Sequence, residues 1–158
     1  MKNNFFYQKS FSNIYAKPNV KSEVTSQILY GERFKVLKKK KDWIKIRTLY
    51  DNYIGFLKRS KFGDKFKPSH KVFKLKTRVF KKVKNKFIPS KSFLYFASKI
   101  TFKNYNSKFL EFEKGKWIKK KDLKPLNYHE NNFPKILKMF LKSKYLWGGK
   151  TAQGIDCS

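Results

Sequence analysis

Cysteine, histidine, arginine and acid are all scarce in this chain. A single cysteine in 158 residues, Cys157, excludes an internal disulfide. The two histidines, His70 and His129, lie far apart with no second cysteine near either, so no metal site is expected. No cofactor is expected either. Only Arg33, Arg47, Arg59 and Arg78 among the 40 basic residues are arginine. Surfaces that read bases or clamp phosphates draw on the arginine fork, which binds bidentately. A lysine excess beside many Asn, Phe, Ile and Tyr reads instead as the codon bias of an AT-rich genome, with an evolved polyanion surface as the alternative. Ten acids leave a formal charge of +30. Anionic polymers, nucleic acid among them, should therefore adhere non-specifically at low salt.

Long apolar runs are missing as well. None approaches the roughly 20 residues that a membrane-spanning helix needs. The opening Met1-Lys2-Asn3-Asn4-Phe5-Phe6-Tyr7-Gln8-Lys9 has neither an apolar core nor a small-residue cleavage site, unlike a signal peptide. A cytoplasmic monomer is expected, a setting that keeps the thiol reduced; the periplasm or cell envelope is the alternative.

What is present is enough apolar material for packed cores: 40% of residues are hydrophobic and 18% aromatic. Its arrangement is mainly β. Phe34-Lys35-Val36-Leu37 and Trp43-Ile44-Lys45-Ile46-Arg47 carry the pattern of half-buried strands, with a polar turn over residues 38–42. Tyr50-Asp51-Asn52-Tyr53 reads as a hairpin turn and Ile54-Gly55-Phe56-Leu57 as the returning strand. Further strand candidates are Val79-Phe80, residues 93–96, 100–102 and 109–112, and Trp117-Ile118. Asn131-Asn132 then offers a helix cap and Pro134 suits the first turn. Phe133, Ile136, Leu137, Phe140 and Leu141 fall on one helical face, which is expected to dock through Phe133, Ile136, Phe140 and Leu141.

Ser22-Glu23-Val24, Leu29-Tyr30-Gly31-Glu32, Asp42-Trp43 and the run Tyr50 to Phe56 occur in the order of a bacterial SH3-like domain, which residues 1–62 resemble. After a linker over residues 63–69, residues 70–126 echo that succession and read as a second, diverged SH3-like domain. An unrelated hairpin extension is the alternative.

The chain ends Lys144-Tyr145-Leu146-Trp147-Gly148-Gly149-Lys150-Thr151-Ala152-Gln153-Gly154-Ile155-Asp156-Cys157-Ser158. A Tyr-x-Trp-Gly-Gly run, a short loop and Gly-x-Asp-Cys-Ser resemble the nucleophile segment of the NlpC-type cysteine peptidases, bacterial cell-wall hydrolases. The resemblance implies that residues 127–158 begin a papain-like α+β catalytic domain. The expected fold is thus two small SH3-like β-barrels, one helix and a truncated papain-like start. Cys157 stands at the nucleophile position. Tyr145 and Trp147 correspond to residues beside the cleft, with core packing as the alternative. Asp156 and Ser158 flank the nucleophile and would help hold the substrate.

The same resemblance extends to dipeptidyl-peptidases whose first SH3-like domain caps the substrate's free L-alanine amine with an acid and a tyrosine. The matching positions are Glu23 and Tyr53; a solvated surface acid and a core or turn tyrosine are the alternatives. The implied reaction cleaves between D-glutamate and the diamino acid of cell-wall muropeptides. A peptidase thiol needs a base, and the family's histidine follows the nucleophile. Residues 1–158 carry no such histidine, so this chain alone is expected to be inactive. The rival reading is a basic tandem SH3-like module that binds peptidoglycan or another anionic polymer without catalysis.

Overall fold

Side chains that alternate in the sequence alternate between core and solvent in the structure. The computed structural model describes residues 4–157. They form two units, one from Met1–Phe66 with Lys144–Ser158 and one from Lys67–Ser143. Regular structure is overwhelmingly β, and the described residues contain one α-helix.

The first unit begins with β1 (Asn4–Tyr7), β2 (Phe11–Tyr15), β3 (Val24–Leu29), β4 (Arg33–Lys40), β5 (Trp43–Thr48), β6 (Ile54–Lys58) and β7 (Phe62–Gly63). They make one sheet in the order β3-β2-β6-β5-β4-β1-β7. In β5, Ile44, Ile46 and Thr48 are buried while Arg47 is exposed. Ile44 and Ile46 join Tyr7, Ile14, Ile28, Phe34 and Leu57 in the core. Phe62 closes that core edge-on against Phe5 and Phe34, at 5.1 and 5.5 Å between ring centroids. The strand β4 runs past the turn expected at residue 38. Val36 faces Ile46 and Lys38 faces Lys45, so Leu37 is the extra residue of a bulge and is 41% exposed. The turn tightens at Lys41, whose φ is 45°.

The second unit holds β8 (His70–Val72), β9 (Lys76–Val83), β10 (Lys86–Tyr95), β11 (Lys99–Ile100), β12 (Asn104–Tyr105), β13 (Phe109–Glu113), β14 (Lys116–Lys119) and β15 (Leu123–Pro125). One sheet has the order β10-β9-β14-β13-β12 and another β11-β8-β15. Buried Thr77 donates to buried Asp122 at 2.5 Å, which satisfies a carboxylate inside this unit. The long hairpin of β9 and β10 exceeds the short strands expected there. Lysine-rich residues 81–92 lack alternation; their conformation is fixed by partners. Phe87 stacks on Phe109 at 4.1 Å, and the Lys82 ammonium lies 5.7 Å from the Trp117 ring centroid.

The helix α1 (Phe133–Phe140) starts as expected, with the Asn132 side chain accepting from the Lys135 N–H at 3.2 Å. Its docking differs. Phe140 meets Phe96 edge-on at 5.4 Å and Ile136 is half-buried, but Phe133, Leu137 and Leu141 are 71%, 65% and 76% exposed. Eight residues bring only one side of the stripe onto Phe96. The terminal segment, with β16 (Lys150–Thr151) and β17 (Gly154–Ile155) paired as a small hairpin, belongs to the first unit. Residues 127–158, read from the sequence as one domain fragment, are therefore divided between the two units.

Candidate functional site

Gly148 is the hinge on which the terminal segment meets the first unit. Its φ is +69°, and a Cβ there would stand 3.0 Å from the Ser26 nitrogen and 3.1 Å from the Thr25 carbonyl carbon. Only glycine combines that conformation with so close an approach to β3. The Gly149 N–H closes the turn by donating to the Leu146 carbonyl at 2.8 Å. The Gly148 N–H donates to Asp156 Oδ2 at 2.8 Å, which pins the residue before the cysteine to the same turn. Tyr145 bridges Ile155 in parallel, so the Trp-Gly-Gly turn and the Asp-Cys end lie side by side.

Lys150 fastens the segment a second time. Its N–H donates to Gln27 Oε1 at 2.8 Å; Gln27, buried in β3, in turn donates to Asn13 Oδ1 at 3.0 Å. The Lys150 ammonium pairs with the Asp51 carboxylate, which also accepts from Thr48 Oγ1. Burial, the largest single influence on Asp51, pushes its pKa up. The hydrogen bonds from Lys150 and Thr48 and the Lys150 charge together outweigh it and hold Asp51 below the ordinary aspartate value.

These attachments create a cleft of about 440 Å³, lined by Glu23, Thr25 and Tyr53 from one side and Tyr145, Trp147, Asp156 and Cys157 from the other. Every described residue that the sequence marked as a site candidate lines it. Ser158 lies outside the described residues. Tyr145 and Trp147 are 66% and 60% exposed, so neither ring is core. Glu23 and the Cys157 thiol are exposed, and Tyr53 is half-buried with Lys150 Nζ 5.6 Å from its ring centroid.

Sequence reasoning missed Thr25, Gln27, Asp51 and Lys150. Thr25 carried a usable signal, since it is only two residues from Glu23, just inside the strand that Glu23 precedes. Lys150 carried none among so many lysines. The described lining includes no histidine. Among the described residues, no group of three His, Cys, Asp or Glu could hold a metal ion. Chemically the cleft offers an exposed thiol, a free carboxylate at Glu23 suited to an ammonium group, and aromatic walls suited to a peptide.

Residues 14–62 match the family model described as the bacterial dipeptidyl-peptidase SH3 domain. Over 93% of its length the chain is 27% identical to dipeptidyl-peptidase 6 of Lysinibacillus sphaericus. It spans 63% of that protein's length. The crystal structure of an NlpC/P60 family protein from Bacillus cereus shares the fold with a TM-score of 0.75 at 16% identity, covering 98% of this chain and 68% of the other.

Proposed function

We propose that this chain is the recognition and nucleophile portion of a cysteine peptidase that acts on cell-wall muropeptides with a free N-terminal L-alanine. The bond cut joins the γ-carbonyl of D-glutamate to the diamino acid. In this reading Cys157 is the nucleophile of a papain-like catalytic domain whose first strip is the terminal segment, and two SH3-like barrels precede it. Sγ adds to the carbonyl, the C–N bond breaks, the amine leaves with a proton, and water hydrolyses the thioester. Glu23 and Tyr53 hold the substrate's ammonium group, Tyr145 and Trp147 flank the peptide, and Asp156 and Ser158 steady it beside the thiol.

One observation carries the reading. Carboxylate, phenol and thiol, drawn from positions 23, 53 and 157, line a single cleft of peptide size. The likeness to dipeptidyl-peptidase 6 and the SH3-domain match support the same class. A base is still required, and no imidazole lines the described cleft, so residues 1–158 by themselves are expected to bind the peptide without turning it over.

Calorimetry with L-Ala-γ-D-Glu-diamino acid peptide tests this. A charge-assisted contact contributes about 1.5–3 kcal/mol, so Glu23→Ala should weaken binding roughly 10- to 100-fold. N-acetylated peptide should bind poorly to both proteins. Equal affinity for the free and acetylated peptides would remove the amine-capping role and leave the non-catalytic module as the better reading. That second reading draws on the second unit, where the Lys82 and Lys119 ammonium groups lie over the Trp117 and Phe80 rings of a basic sheet.

A further inference from the structure

Asp51 and Lys150 do not line the cleft, but they join the loop that bears Tyr53 to the segment that carries Cys157. Asp51 sits in the loop between β5 and β6, two residues before Tyr53. Lys150 opens β16, in the segment that carries Cys157. Their side chains are only 19% and 17% exposed. An ion pair so enclosed adds little net stability, because desolvation offsets the attraction; its best-attested use is to set registry. Other contacts already hold the segment to β3, through Gly148 against the Thr25–Ser26 backbone and through the Gln27 amide. None of these touches the loop that bears Tyr53. The Asp51–Lys150 pair does, and Thr48 Oγ1 fixes the carboxylate from the barrel-core side while Tyr53 O accepts from the Thr48 N–H at 3.0 Å. The lysine also lies against the Tyr53 ring itself.

We propose that the Asp51–Lys150 pair is a positioning clamp that sets the separation between Tyr53 and Cys157. It thereby sets how many residues lie between a substrate's free amine and the bond presented to the thiol. Neither residue touches the substrate; both act through the loop and the segment they join. The inference rests on the peptidase reading above. It adds to that reading the element that counts the length of the excised piece.

The test uses the 158-residue chain and thiol-reactive peptides, so it needs no turnover. Two probes carry a free L-alanine amine and a chloroacetyl group. One places the reactive carbon at the spacing of a dipeptide, the other one residue further away. The Cys157 sulfur displaces chloride, the S–C bond forms as the C–Cl bond breaks, and the thiol proton passes to buffer. Wild type should label faster with the shorter probe, by about tenfold or more, since misplacement of about 1 Å costs a reacting pair on the order of 10²-fold. Lys150→Met and the near-isosteric Asp51→Asn should both bring that ratio within about twofold, while small iodoacetamide labels all three proteins at one rate. The reversed pair, Asp51→Lys with Lys150→Asp, should recover part of the preference. A length preference that survives in both single variants would overturn the clamp alone. If wild type itself fails to distinguish the free-amine probe from its N-acetyl form, the peptidase reading fails and the clamp with it.

Discussion

At the scale of single residues, Asp51 links the cleft to stability. Its pKa in the fold lies below its ordinary value, so its ionised form is favoured by folding. Such a group contributes fully above the unfolded carboxylate range, near pH 4, and loses its contribution as pH falls through the lower folded value. The pair as a whole adds little net stability, but Asp51→Asn leaves the enclosed Lys150 ammonium without its charged partner and should cost about 1–2 kcal/mol at pH 7. The gap from wild type should narrow steadily in urea titrations run below about pH 4. A gap independent of pH would mean that Asp51 matters for its shape and not its charge. Cys157, Asp156, Trp147, Glu23 and Tyr53 each stand in a distinctive short run, which is why the sequence could single them out as candidates that the fold then brings to one cleft. Asp51 and Lys150 could not be singled out, because an acid in a turn and one more lysine look like solvated surface. Only folding brings together two residues 99 positions apart.

At the scale of elements, the bulge in β4 makes neighbouring apolar residues unequal. Ile46 is wholly buried in β5, whereas Leu37 is the extra residue of the bulge and faces solvent. Ile46→Ala should cost about 2–5 kcal/mol through lost contact and the cavity left behind. Leu37→Ala should stay within about 0.5 kcal/mol, as surface changes do. Comparable losses for the two variants in chemical denaturation would show that the register is misplaced by one residue. Alternation made β5 and β6 readable in advance, and the apolar period made α1 readable. The hairpin of β9 and β10 was not readable, because lysines at 81, 82, 84, 86 and 91 erase the period-2 pattern. There the strands are specified by ring contacts across the sheet, which involve Phe80, Phe87, Phe109 and Trp117. The exposed half of the α1 stripe was equally hidden, since a periodic face says that it is apolar and not which part of it is covered.

At the scale of the molecule, the chain carries a formal charge of +30, while the recognition proposed for the cleft rests on a few local groups. Composition foretold the packed cores, and the alternation of apolar and polar residues foretold the mainly β character. Neither could foretell that the terminal segment would return to the first unit, because that return depends on a close backbone approach at Gly148 and on one buried amide at Gln27. The central claim is that this returning segment and the first unit together read a free amine. Near 150 mM salt, long-range attraction to the lysines is screened beyond about 8 Å, so local recognition can be seen by itself. The most direct measurement is a nuclear magnetic resonance titration of the labelled chain with free-amine L-Ala-γ-D-Glu-diamino acid peptide and with its N-acetyl form. The free-amine peptide should shift the Trp147 indole N–H and the backbone signals of Thr25, Tyr53, Gly148 and Cys157, and the acetylated one should leave them in place. Shifts confined to residues 67–143, or the same shifts with both peptides, would contradict the claim.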